Sequence, residues 1–302
     1  MTRARLTITL LFASVVGLEA HAQPRIEAFH VQGNVYMLVG AGANVAVQIG
    51  DEGVLVVDTG AAGTREPLLA AIRGLSSKPI RWIVNTGPDA EHTGGNTTIS
   101  QAGQTVNGNP AAIIAHENAL SRMSAENRAA TDLPLNSFFE DGRDFSFNGE
   151  AVFLYHVPAA HSDGDLVVYF RGSDVLVAGD LFVTTSYPVI RSDTGGGVDG
   201  FVAGLNKLLD LAVPKYLQEG GTYVIPGHGR VGDEADILDF RDMVVIVRDR
   251  IASQVAKGMT LEQVMATKPT LDYDPRYATA AWTPAMFVAA VYRDLQQRKG
   301  GR

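Results

Sequence analysis

The 302-residue chain contains no cysteine. That absence excludes disulfides, Cys-ligated zinc, cysteine nucleophiles and thiol redox chemistry, and leaves stability to an apolar core. Basic runs are missing as well, and the formal charge is −8. Nucleic acid and anionic membrane both need Lys/Arg to neutralise phosphate, so neither is expected as a partner, although acidity also serves solubility alone. No P-loop or dinucleotide fingerprint is present, which leaves a small-molecule substrate without a nucleotide cofactor as the expectation.

Long apolar runs are also lacking. The longest, "LTITLLFASVVGL", Leu6 to Leu18, is well short of the roughly 20 residues a spanning helix needs. It follows Arg3 and Arg5 and precedes "AHA", Ala20 to Ala22. This order reads as a secretory leader, residues 1–22, cleaved after Ala22, and places the mature protein in the periplasm or outside the cell, free of the membrane. Cleavage removes Arg3, Arg5 and Glu19 and moves the formal charge from −8 to −9. No Pro/Gly/Ser-rich linker, low-complexity tract or repeat divides what remains. Residues 23–302 are therefore read as one domain, long enough to bury a substantial core, with the oligomeric state left open.

What is present is a series of short β-branched runs bounded by turn residues: "NVYMLV", "NVAVQIG", "GVLVVDTG", "IRWIVNTG", "AAIIAHE", "AVFLYHV", "DLVVYF", "DVLVAGD" and "TYVIPGHG". Their length and composition predict strands. Helical spacing appears in "REPLLAAIRGL", in "FVAGLNKLLDLA", and around residues 237–257, where Ile237, Phe240, Val244, Val247, Ile251 and Val255 recur on one face before Gly258. A last helix is expected from about Pro284 to Gln297.

Ionisable residues fall where these strands end. Asp58 closes "VLVVD", Asp89, Glu91 and His92 follow "RWIVNT", His161 follows "AVFLYHVPAA", Asp180 closes "VLVAGD", and His228 follows "YVIPG". Apolar strands are rigid supports, and such ends meeting at one sheet edge would form a preorganised site. Asp58 and Asp180 have an ordinary reading as turn formers. His228 between Gly227 and Gly229 is harder to treat so, because flanking glycines let the backbone approach another group closely. His30, His116 and His156 sit in no comparable context and are read as surface or packing residues.

The ordered motifs "VDTG", "NTGPDAEHTGGN", "AAHSDGD", "AGDLF" and "PGHG" together resemble the metallo-β-lactamase fold superfamily over nearly the whole mature chain. The resemblance implies an α/β fold, a four-layer αββα sandwich with a metal site along one edge of its two sheets. Members usually carry HxHxDH where this chain reads "GPDAEH". Gly87 stands for the first histidine, Asp89 for the second and Glu91 for the aspartate, while His92, His161, Asp180 and His228 match. By that correspondence the first half of the metal site keeps Asp89 and His161, with Asp180 as a third donor, and the second half keeps Glu91, His92, Asp180 and His228.

Four donors suffice for tetrahedral zinc, or for iron or manganese with open positions, and the larger carboxylate share favours harder ions. One tightly bound ion, zinc foremost, is expected in the second half. Glu91 is a methylene longer than aspartate, so its carboxylate must fold back or the ion must shift. Asp89 is read as the general base. The loop "TTSYPVIRSDTGGGVDG" after Asp180 should overhang the site and offer Tyr187 and Arg191 to substrate, with Arg191 gripping a carboxylate. Two readings of function follow. One is an exported metal-dependent hydrolase of a small ester, amide, thioester or lactam acting through a metal-activated water. The other is a non-catalytic or metal-depleted binding protein on the same scaffold.

Overall fold

A computed structural model describes residues 25–300, so the expected leader at residues 1–22 lies outside the described residues. Two sheets carry the architecture. The first contains β1 (Glu27–Gln32), β2 (Val35–Val39), β3 (Val45–Gly50), β4 (Gly53–Val57), β5 (Ile80–Val84) and β6 (Ala112–Ile114), in that spatial order. Its first four strands are antiparallel, and β4, β5 and β6 run parallel. The second contains β7 (Gly142–Phe147), β8 (Glu150–Val157), β9 (Asp165–Phe170), β10 (Val175–Val183) and β11 (Tyr223–His228), ordered β11-β10-β9-β8-β7, with only the β10–β11 pair parallel.

The helices are α1 (Arg65–Leu75), α2 (Ala90–Thr93), α3 (Asn96–Ala102), α4 (Glu117–Ala125), α5 (Val198–Leu211), α6 (Glu234–Ala256), α7 (Leu261–Ala266), α8 (Asp274–Tyr277) and α9 (Pro284–Gly300). The side-chain alternation of a strand explains how they stack. In β4, Leu55 and Val57 join Val35, Val84, Val168, Val177 and Ile225 in the layer between the sheets. Val54 and Val56 point the other way and pack with Leu68 and Ile72 of α1 and Ile99 of α3. Both faces are buried, so the strand reads as an unbroken apolar run rather than an alternation. On the far side, Val167, Tyr169 and Leu176 meet Phe201 and Leu205 of α5, Phe240 and Val247 of α6, and Phe287 of α9. The result is the expected αββα sandwich.

All nine strands predicted from the apolar runs form. The two that escaped prediction, β1 and β7, are the outer strands of their sheets and are largely exposed. An edge strand with a solvated face has no need of the apolar run that would announce it. Helix α6 begins at a capping box, in which the Asp233 carboxylate accepts from the Asp236 backbone N–H and the Asp236 side chain accepts from that of Asp233. All six of its predicted face residues are buried, each such apolar side chain contributing about 1.5–3 kcal/mol. No helix among the described residues is long and apolar enough to cross a membrane.

Candidate metal centre

The parallel pairs bring the C-terminal ends of β4, β5, β10 and β11 to one edge, and the antiparallel β9 brings its start there too. Asp58, the 85–92 loop, Asp180 and His228 thus converge, joined by His161 from the turn before β9. One ligand atom each from Glu91, His92, Asp180 and His228 lies within 4.8 Å of the others, and the same holds for Asp89, His161 and Asp180. The two groups share Asp180, in the grouping that the resemblance implies.

The first set is open. His92 Nε2 lies 3.3 Å from Asp180 Oδ2, His228 Nε2 lies 3.4 Å from Asp180 Oδ1, and His228 Nε2 lies 3.6 Å from Glu91 Oε2. Ligands about 2.0–2.2 Å from a tetrahedral zinc stand about 3.3–3.6 Å from one another, so these separations suit a shared ion. Buried His92 Nε2 and Asp180 Oδ1 have no hydrogen-bond partner, a costly state that a cation between them would relieve. The donors therefore fit a metal ion.

Asp58 sets the orientation of His92. Its Oδ2 accepts from His92 Nδ1 at 2.7 Å and from Thr86 Oγ1 at 2.7 Å, and its Oδ1 accepts from the Thr86 backbone N–H at 2.8 Å. Since a carboxylate can only accept, Nδ1 carries a proton and Nε2 is the nitrogen left to face a metal. Asp58 adopts φ 64°, a left-handed conformation that costs a non-glycine residue about 1–3 kcal/mol. It is held there by those bonds and is no mere turn former. His161 is oriented in the same manner, by the Val189 carbonyl 2.7 Å from its Nδ1.

The glycines around His228 have the role their positions suggested. A Cβ on Gly227 would strike Asp180 Oδ1, and one on Gly229, at φ +100°, would strike Thr184 Oγ1. The turn is tied to the other sheet by Asn44, whose side-chain amide donates to the Pro226 and Gly229 carbonyls at 2.9 and 3.0 Å and whose backbone N–H donates to the Gly227 carbonyl at 2.8 Å.

The second set is closed. Asp89 Oδ2 lies 2.6 Å from His161 Nε2, a hydrogen-bond distance, and Asp89 Oδ1 lies 2.8 Å from Arg191 Nη1. Arg191 is in turn held by Asp193, with Nε and Nη2 each 3.2 Å from its carboxylate. The expected gripping of a substrate carboxylate by Arg191 meets a guanidinium already engaged by two carboxylates of the protein. Asp89, expected as a general base, already accepts at both oxygens.

Tyr187 requires a larger correction. It is wholly buried, stacks on Phe287 with ring centroids 4.8 Å apart, and donates its hydroxyl to Asp274 Oδ1 at 2.8 Å. The loop after β10 does reach the cleft, but through Ser186, Val189 and Arg191. Tyr187 turns inward because α8 and α9 offer its ring an apolar seat and its hydroxyl a partner.

Sequence reasoning missed Arg128. It donates to the Pro88 carbonyl at 2.8 Å and the Thr93 hydroxyl at 2.5 Å, pairs with Glu126 at 2.6 Å, and so clamps both ends of the motif loop. Nothing in "AENRAA" signals this, since the contact spans 40 residues. His116 and His156, read as packing residues, stack on each other with centroids 3.5 Å apart. His30 lies exposed on β1, its Nε2 bonded to the Gly33 carbonyl.

The charges are strongly coupled. Burial works against ionisation of Asp180, but His92, His161 and His228 outweigh it and hold the carboxyl well below the usual range. Burial likewise opposes the imidazoliums of His92 and His161, yet Asp180 and Asp58 raise the former well above its ordinary value, and Asp89 with Asp180 raises the latter to about 9. Asp89 is lowered, burial being outweighed by His161 and Arg191. Glu91 and His228 shift each other, the acid downward and the imidazole upward. In the metal-free protein protons therefore occupy positions a metal would take.

The cleft over these groups has a volume of about 490 Å³. A larger cavity of about 1070 Å³, lined by Arg81, Trp82, Leu135, Phe145 and others, contains no histidine and none of the converging acids. Chemistry belongs to the smaller one.

A family model described as the metallo-beta-lactamase superfamily matches residues 31–228. A linear primary-alkylsulfatase from Pseudomonas sp. is 24% identical over 259 residues, covering 71% of this chain and 47% of the relative. A metallo-beta-lactamase type 2 from Bacillus cereus is 23% identical over 177 residues, covering 59% and 62%. The chain thus spans less than two thirds of either relative's length. Among solved structures, the stereoselective inverting sec-alkylsulfatase Pisa1 from Pseudomonas sp. superposes with a TM-score of 0.68 at 17% identity, over 89% of this chain and 50% of the other. A metallo-beta-lactamase from Pontibacter korlensis gives 0.58 at 16% identity, over 73% and 99%. These structures share the fold, and the family match takes in every converging residue from Asp58 to His228, so the chain belongs to the metallo-beta-lactamase superfamily.

Proposed function

We propose that this protein is an exported metal-dependent hydrolase of a small ester, amide, thioester or lactam, with sulfate esters added to that range by the alkylsulfatase relatives. The observation that carries the reading is the open set of Glu91, His92, Asp180 and His228, whose ligand atoms lie within 4.8 Å of one another and three of whose contacts, at 3.3, 3.4 and 3.6 Å, suit one ion. Zinc, or iron or manganese, held there supplies Lewis acidity, which lowers the pKa of water toward neutrality and polarises the attacked oxygen. Asp58 and the Val189 carbonyl keep His92 and His161 in register. The Asp89–His161 pair holds a proton at Nε2, 2.6 Å from Oδ2 and facing the cleft, where it can be passed on or taken back. Export is supported by the N-terminal pattern of Arg3, Arg5, the apolar run and "AHA".

The test is a screen of the zinc-loaded protein, without residues 1–22, against esters, thioesters, lactams and alkyl sulfates, with elemental analysis alongside. About one ion per chain and turnover that a chelator abolishes is the expected result. No bound ion after supplementation would instead favour a binding protein on the same scaffold.

A further inference from the structure

We propose that Arg191 sets the metal count of this site: its guanidinium holds Asp89 and keeps a second ion out. The inference rests on the metal-binding reading above and concerns the half-site that reading leaves unused.

The geometry separates the two halves. Where an ion fits, the donor atoms stand 3.3, 3.4 and 3.6 Å apart. In the other half the corresponding separation between Asp89 and His161 is 2.6 Å. That is too close for two ligands about 2.0–2.2 Å from a common tetrahedral centre, which stand at least about 3.3 Å apart, and it is the right length for a hydrogen bond to a carboxylate. His161 Nδ1 faces the Val189 carbonyl and Nε2 faces Asp89 Oδ2.

Arg191 completes the closure. Nη1 binds the remaining Asp89 oxygen at 2.8 Å, and unlike a histidine, a guanidinium cannot release its proton to make room for a metal. It is braced from behind by Asp193. Its own backbone is stitched beside the ligand, the N–H donating to the His161 carbonyl at 2.9 Å and the carbonyl accepting from Gly196 at 2.8 Å. The residue is therefore a built part of the half-site. Asp89 carries its negative charge into this half-site and Arg191 sets a permanent positive charge against it. A second cation would have to pull Asp89 away from that fixed positive charge.

Gly87 does not account for the closure by itself. A Cβ there would meet only Asp165 Oδ1, at 3.8 Å, so the missing side chain leaves room rather than an obstruction.

The experiment is a calorimetric zinc titration of the full mature chain as wild type, Arg191→Gln and Arg191→Lys, with bound metal counted by elemental analysis. The wild type should show one tight event and a second at least tenfold weaker. Arg191→Gln should strengthen the second event tenfold or more and carry the count toward two, while Arg191→Lys, which keeps the charge, should stay near wild type. Arg191→Met, which retains the aliphatic stem, replaces the Gln variant if thermal melts show that one to be misfolded. Equal second-site affinity in wild type and the neutral variants overturns the inference, and so does a wild type that holds two ions equally tightly. Loss of the first event from every protein would count against the hydrolase reading instead. Even then the inference requires the neutral variants to bind one ion more than the wild type.

Discussion

The two halves of the cleft share Asp180 and differ in what balances its charge. On one side, Glu91, His92 and His228 stand apart with buried His92 Nε2 unpartnered. On the other, Asp89, His161 and Arg191 have closed on one another through bonds of 2.6 and 2.8 Å. Both halves draw on the 85–92 loop and on Asp180 at one sheet edge, so these shared elements do not distinguish them. The difference lies in side chains: in one half Asp89 meets an imidazole and a guanidinium, and in the other the donors stand apart.

The sharpest way to break the comparison is to remove what the halves share. Asp180→Ala should abolish tight metal binding and hydrolysis together. His92→Ala should lose metal by more than the roughly 100-fold that loss of an outer partner costs, because it deletes a donor of the open half. Metal retention in either variant, measured by elemental analysis after dialysis, would dissolve the distinction between open and closed.

Asp89→Asn acts on the closed half alone. It should leave the tight ion in place and lower hydrolysis by roughly 10²-fold, the range for a displaced proton-transfer group. Metal loss in that variant would make Asp89 a ligand after all. Next in size is Asp58→Asn, which alters the partner of His92 Nδ1 without touching a ligand. Zinc affinity should fall by about 10- to 100-fold, read by competition with a chromogenic chelator.

Converting the closed half tests the comparison from the other direction. Gly87→His with Asp89→His should give a second zinc and a higher melting temperature in zinc. Gly87 does not have positive φ, and a Cβ there would meet only Asp165 Oδ1, at 3.8 Å, so the backbone itself sets no strain against the change. A lowered melting point without a zinc response would show that the neighbouring backbone has moved.

The smallest effect is on pH dependence. His161 in the metal-free protein is raised from 6.5 to about 9, so its contribution to stability is complete below about pH 6.5 and disappears as pH rises through 9. Asp89 and Asp180 are lowered from 3.8, so theirs is present above that value and lost in acid. Metal-free protein should accordingly be most stable between about pH 4 and 6.5 and soften toward pH 9. Zinc affinity should rise over the same upper interval, because binding displaces protons. A flat melting profile from pH 6 to 9 would show that the closed half adds no stability.

Much of this molecule could be read along the chain. Nine strands announced themselves because burial on both faces demands unbroken apolar runs, and the donors drew attention because they fall in or soon after such runs, while their division into half-sites came from the resemblance. The assignment of Gly87, Asp89 and Glu91 to motif positions came from the resemblance to the superfamily's HxHxDH motif, with His92 as the matching histidine. Composition alone ruled out thiol chemistry.

Other features depended on folding. Asp58 looked like a turn residue because its partner His92 is 34 positions away, and only a packed sheet edge brings them to 2.7 Å. Arg191 and Asp89 are separated by 102 residues, and Arg128 and Pro88 by 40, distances over which no local pattern persists. Tyr187 was misplaced for a related reason: a loop residue beside a ligand faces the cleft or the core according to what the later helices offer it, here Phe287 and Asp274. The kinds of donor and their order are properties of the chain itself. Which of them stand apart for a metal and which neutralise one another is a matter of distances of a few tenths of an ångström, set by tertiary packing, because the same carboxylate and imidazole form a hydrogen bond at 2.6 Å and can share an ion only farther apart.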